Sequence, residues 1–113
     1  MSRRRSFPPE LLDALRATSL FDALALLGLY WKKDADFVPL KNQTTVRVHV
    51  TVNGGVVELL ITDLKWYDTR AALGGGGAID LTMHLLRLSF VDAVRLLASQ
   101  MNSFTPRKEG GQI

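Results

Sequence analysis

A chain of 113 residues, 47% hydrophobic and 22% charged, has the composition of one ordinary globular domain: too short for two cores and too apolar for disorder throughout. It contains no cysteine, which excludes disulfides and thiol catalysis and removes the commonest ligand of structural zinc. The formal net charge is +3, but five of the 14 basic residues (Arg3, Arg4, Arg5, Arg107, Lys108) lie in the tails with only one acidic residue, Glu109, so the body is close to neutral and any attraction for phosphate must come from tails or local clusters.

Arg3-Arg4-Arg5 resembles the start of an export signal, but Phe7-Pro8-Pro9-Glu10 follows where the apolar core of such a signal would begin, so a cytoplasmic location is expected. No apolar run approaches the roughly 20 residues that cross a bilayer, and no membrane contact is expected. Pro8-Pro9-Glu10 predicts the start of a short helix with Leu11, Leu12 and Leu15 as its apolar stripe. Ser19 predicts an N-cap with Asp22 as its reciprocal partner. The helix that follows, residues 20–27, is apolar almost all round, which predicts burial, and Gly28 is its natural stop.

The clearest local signal is a hairpin over residues 45–62. Val46, Val48, Val50 and Val52 alternate with Thr45, Arg47, His49 and Thr51, the period of a half-buried strand. Asn53-Gly54 is the preferred dipeptide of a two-residue type I′ turn. That turn sets Val50 opposite Val57, Val48 opposite Leu59 and Val46 opposite Ile61, while a slip by one residue would oppose Glu58 to Val50. A third strand is predicted over residues 63–67, then a loop ending in Gly74-Gly75-Gly76-Gly77, a helix over residues 78–86, and a final helix capped by Ser89 with Asp92. The expected organisation is a basic arm (1–7), one domain (8–101) and a mobile tail (102–113).

The run Lys65-Trp66-Tyr67-Asp68-Thr69-Arg70-Ala71-Ala72-Leu73-Gly74-Gly75-Gly76-Gly77-Ala78-Ile79-Asp80-Leu81 is similar to the second half of the Cys-His-Cys-Cys zinc ribbon at the N-terminus of bacterial and phage DNA primases. In that family an aromatic strand enters a Cys-x-x-Cys knuckle, then a glycine-rich link and a helix opening with Ile-Asp-Phe. Leu88-Ser89-Phe90-Val91-Asp92-Ala93-Val94 is similar to the family's next segment, Gly-Leu-Ser-Phe-x-Glu-Ala, and Phe37-Val38-Pro39-Leu40-Lys41 falls at its Cys-Pro-x-His pair. The resemblance covers residues 18–100 and implies an α+β fold, a small antiparallel sheet packed with N- and C-terminal helices. The ligand positions it implies are Val38, Lys41, Thr69 and Ala72, none of which serves zinc, and a lysine cation opposes it. His49 and His84 remain, without ligand-like spacing, so no metal and no cofactor are expected. Zinc binding in such small ribbons is folding free energy, so the apolar hairpin must replace it.

Trp31-Lys32-Lys33 and Lys65-Trp66-Tyr67 with Arg70 interleave aromatic rings and cations, the chemistry by which single strands are stacked and their backbones followed. The resemblance implies the same partner, single-stranded template DNA, and adds Lys41 beside Arg70. Arg47 joins the set from the hairpin's polar face. Strand alternation sends Trp66 and Tyr67 to opposite sides of the sheet, so one faces the core, without saying which. The four glycines could hold a phosphate at a helix N-terminus, but no P-loop residues follow and a plain link is the better reading. His49 and Glu58 face each other as a modest cross-strand pair, with no nucleophile to make them an acid–base pair. The expectation is a non-catalytic accessory protein of DNA replication that holds single-stranded template for a separately encoded primase of a plasmid, phage or other mobile element. The alternative is a metal-free protein-interaction module that homodimerises or docks on a replication partner, through an apolar patch around Leu60, Leu73 or Leu85.

Overall fold

Asn53 and Gly54 both take left-handed backbone angles (φ 51° and 81°), the conformation a type I′ turn requires. In the computed structural model, which describes residues 7–41 and 43–103, this turn joins β2 (Val46–Val52) to β3 (Gly55–Thr62). The register is the one the dipeptide dictates, with Val50 opposite Val57, Val48 opposite Leu59, Val46 opposite Ile61, and His49 opposite Glu58. The sheet grows from this hairpin in both directions. A short strand, β1 (Trp31–Lys33), pairs with β2, while β4 (Lys65–Asp68) pairs with β3 and β5 (Leu73–Gly76) with β4, all antiparallel and in sequence order. Four helices among the described residues complete the expected α+β fold.

Three strands depart from the sequence expectation: β1 has no counterpart in it, and the two strands after the hairpin differ from their expected form. Strand β4 begins at Lys65 because Asp63, at φ 55°, and Leu64 form the connecting turn; aspartate tolerates that conformation better than most residues. The glycine run is a strand, not a link. A Cβ on Gly75 would land in the Asp80 carboxylate and 2.7 Å from Cζ2 of Trp66, and one on Gly74 would lie 3.0 Å from the Trp66 carbonyl oxygen. Glycine is here because another part of the protein passes too close for a side chain. Gly75→Ala is therefore expected to destabilise the fold by about 2–3 kcal/mol through overpacking. Gly55→Ala, whose Cβ would meet only the Val52 carbonyl at 3.7 Å, is expected to stay within about 0.5 kcal/mol of the parent in urea unfolding.

Of the helices α1 (Pro9–Ala17), α2 (Leu20–Leu26), α3 (Ala78–Leu86) and α4 (Phe90–Ser103), α2 and α4 carry the expected caps: Ser19 Oγ accepts from the Asp22 N–H at 3.0 Å and Ser89 Oγ from the Asp92 N–H at 3.1 Å. Helix α4 runs to Ser103, so residues 102 and 103, expected in the tail, are helical. The basic arm through residue 6 and the tail from residue 104 lie outside the described residues. Helices α2 and α3 each serve two cores. Leu20, Leu24, Leu81 and Leu85 pack on Val48, Val50, Leu59, Ile61 and Trp66 of the sheet. From their other sides Ala23, Ala78 and Ile79 meet Leu15 of α1 and Ala93, Val94 and Leu97 of α4. This explains why α2 is apolar around most of its circumference. It also corrects one expectation: Leu85 is core, leaving Leu73 exposed and Leu60 half-buried.

Asp68 fastens the turn between β4 and β5. It is 7% exposed; Oδ1 accepts from the N–H groups of Arg70 and Ala71, both at 3.0 Å, and Oδ2 lies 2.8 Å from Nε2 of His84 on α3. The His84 ring stacks on Trp66 with centroids 4.8 Å apart. Burial pushes the Asp68 carboxyl up, but the hydrogen bonds from Ala71, His84 and Arg70 outweigh it and hold the group below its ordinary value. A depressed carboxylate stabilises the fold fully above its unfolded value, near pH 4, and loses that contribution as pH falls through the lower native value. The thermal midpoint should thus drop on acidification below about pH 4. Asp68→Asn is expected to cost about 1–3 kcal/mol at pH 7 and to flatten that acid limb.

Candidate nucleic-acid interface

The sheet face that carries Arg47, His49, Glu58, Leu60 and Tyr67 points away from the four helices, and the segment 34–41 folds across part of it. Strand period dictates this sidedness, since the residues between these in β2, β3 and β4 fill the core. Arg47 holds the crossing segment down. Its Nε and Nη2 donate to Asp34 Oδ2 at 2.8 and 2.6 Å, and its guanidinium lies 5.0 Å from the centre of the Phe37 ring. Asp34 also accepts from the Asp36 N–H, and the Arg47 hydrogen bond foremost holds its carboxyl below the ordinary range. Glu58 continues the network: Oε1 accepts from Thr69 Oγ1 at 2.6 Å, and Oε2 lies 3.3 Å from His49 Nε2 and 3.7 Å from Arg47 Nε. The Thr69 bond is the main reason the Glu58 carboxyl is held low. His49 and Glu58 thus pair across the strands as their register requires.

Beside this network lies an open groove of about 580 Å³. One wall is the segment from Phe37 to Lys41; the other is the outer face of the sheet, with Thr45, Leu60, Thr62, Lys65 and Tyr67. No carboxylate lines it. Among the described residues neither Lys41 nor Lys65 belongs to an ion pair, so both charges are available to an anion. Tyr67 is 42% exposed, with Val38 and Leu40 at 73% and 94%. The groove therefore combines two free cations, a half-exposed aromatic ring and apolar side chains, a set that suits bases joined by phosphates.

The structure divides the nine expected residues. Lys41, Lys65 and Tyr67 meet in the groove. Trp66 is corrected: alternation turns it inward, it is 4% exposed, and it cannot stack on a base. Arg47 is corrected as a free cation, because Asp34 and Glu58 neutralise it and its work is to fasten the groove's wall. Trp31 faces the helices and packs on Phe21, ring centroids 4.9 Å apart. Lys32 and Lys33 are exposed on edge strand β1, and Arg70 is exposed in the β4–β5 turn; none of the three lines the groove. Val38, Pro39 and Leu40 are groove residues that sequence reasoning did not assign to binding. Their signal was an apolar run, Phe37 to Leu40, in a stretch with no strand or helix period.

The four positions that the resemblance implies for zinc ligands make other contacts. Val38 and Lys41 are in the groove wall, Thr69 is bonded to Glu58, and Ala72, at φ 55°, donates its N–H to the Asp68 carbonyl to close the turn. Among the described residues no group of three or more histidine, cysteine or acidic side chains is placed to hold a metal ion. Purified protein is expected to carry no stoichiometric zinc, and a strong chelator should leave its thermal midpoint unchanged. A midpoint that fell on chelation would contradict the assignment of these positions.

No protein-family model matches the chain, and no solved structure matches it significantly. It is similar to a protein of Zymomonas mobilis named "65 kDa protein", with 31% identity over 97 residues, which is 86% of this chain. The chain spans about 15% of the length of that relative, so the likeness is to a segment of a much longer polypeptide. Among the described residues no helix is long and apolar enough to cross a membrane.

Proposed function

We propose that this protein is a non-catalytic, cytoplasmic accessory protein of DNA replication that binds single-stranded DNA in the groove between the 37–41 segment and the outer face of the sheet. The observation that carries the reading is the acid-free lining of that groove, with Lys41, Lys65 and Tyr67 converging on it. Cations follow the backbone and the aromatic ring takes a base, an arrangement tolerant of sequence. The resemblance of residues 65–81 to the primase ribbon supports the same partner and suggests a primase, of a plasmid, phage or other mobile element, as the recipient of the template. A catalytic role is not proposed. The His84–Asp68 pair serves as a structural strut and the His49–Glu58 pair joins an ion network in which Glu58 also holds the Thr69 hydroxyl.

A second reading draws on Leu40 and Val38, whose exposure is unusual for apolar side chains on a free surface. They would suit a protein partner, either a second copy or a replication protein docked over the same groove. Fluorescence anisotropy with labelled single- and double-stranded oligonucleotides at low and high salt separates the two. Tighter, salt-sensitive binding of the single strand is the expected result. No binding of either below about 100 μM, weaker than ordinary nonspecific contact, would overturn it in favour of the protein partner.

A further inference from the structure

The groove does not end at Lys65. That residue also lines a second hollow of about 440 Å³, beyond the β3–β4 turn, whose walls include Arg16 at the end of α1, Met83 of α3 and Phe90 at the start of α4. Phe90 is 37% exposed; the rest of its ring meets Phe7 edge-on at 6.2 Å. Arg16, like Lys65, belongs to no ion pair among the described residues. The hollow's one acidic residue, Asp80, accepts the Gly76 N–H at 3.0 Å. Across the two hollows, three free cations thus stand against a single carboxylate. Each hollow also carries an exposed ring, Tyr67 in the first and Phe90 in the second.

We infer that a single strand seated in the groove continues over Lys65 into this second hollow, with Arg16 as a phosphate contact and Phe90 as a second stacking surface. The inference rests on the proposed binding of single-stranded DNA and gives that binding a direction across the molecule. The charge balance favours this exit over the one on the other side of the turn. There, further hollows are lined by Lys33 together with Asp34, and by Lys33 together with Asp63, so one cation faces two carboxylates. A strand taking the Lys65 exit makes three phosphate contacts from the described residues, Lys41, Lys65 and Arg16. Each such contact contributes about −0.7 to the slope of log K against log salt for single strands.

The test is anisotropy with a labelled oligo(dT) over a salt series, using the full chain and the variants Arg16→Gln, Phe90→Ala, Lys33→Gln and Arg95→Gln, Arg95 being exposed on α4 and lining neither hollow. Thermal melts would accompany each, and Phe90→Leu would replace Phe90→Ala if that variant melts early. The expected result is a slope flatter by about 0.7 for Arg16→Gln, roughly fivefold weaker binding for the Phe90 variant, and parental behaviour for Lys33→Gln and Arg95→Gln. If the parent binds but Arg16→Gln and the Phe90 variant match it, or if Lys33→Gln alone flattens the slope, the path is wrong while the groove reading stands. If the parent does not bind oligo(dT), both are overturned.

Discussion

Trp66→Ala is expected to destabilise the protein by about 3–5 kcal/mol, the cost of removing a large buried aromatic side chain and leaving a cavity. The indole is 4% exposed and packs with Val48, Val50, Leu59 and Ile61 against α2 and α3. It also backs the His84 ring, and His84 reaches the Asp68 carboxylate that closes the β4–β5 turn. Its loss therefore loosens two elements at once, the core and the strut. Its indole N–H has no hydrogen-bond partner among the described residues, so packing holds the ring and no hydrogen bond is lost with it. A small domain has about 5–15 kcal/mol of stability in all, so the variant should unfold at much lower urea or not fold at all. A loss below about 1 kcal/mol would mean that Trp66 is not the centre of the sheet's core.

Tyr67→Ala, one residue on, is expected to do the opposite: little to stability and much to binding. Tyr67 stands on the outer face opposite Leu60, 42% exposed, in the groove that also holds the two free lysines. An exposed side chain of this kind contributes little to the fold. A ring that stacks on a base is worth about 1–3 kcal/mol, so affinity for single-stranded DNA should fall about 5- to 150-fold with the thermal midpoint within a few degrees of the parent. Lys41→Gln and Lys65→Gln should each flatten the salt dependence, with smaller losses at low salt. A Tyr67→Ala protein that stays folded and binds like the parent would remove the groove as the stacking site.

The hairpin was legible in the sequence because three independent signals agree on one register: valine alternation, the Asn53-Gly54 turn and apolar pairing across the strands. The helix starts were legible because Ser19 and Ser89 carry their own capping chemistry. The glycine strand was not. Glycine is read from sequence as freedom, whereas here it records the nearness of Trp66 and Asp80, a fact of tertiary packing. Strand β1 has three residues, too few for a period to show. For the candidate site, cation and aromatic positions could be named, but not which of two adjacent aromatics faces outward. Nor could sequence show that Asp34, 13 residues upstream, takes the Arg47 charge. The free cations could be separated from the bound one only once the segment 34–41 was seen lying across the sheet.

The central claim, that the groove on the outer face of the sheet takes single-stranded DNA, is tested most directly by amide chemical-shift changes on titrating the labelled protein with oligo(dT). The account predicts the largest changes at Val38, Leu40, Lys41, Leu60, Lys65 and Tyr67, with the hairpin tip at Asn53-Gly54 and the end of α4 near Met101 unmoved. Changes confined to the tip or the end of α4, or none at saturating oligonucleotide, would contradict it.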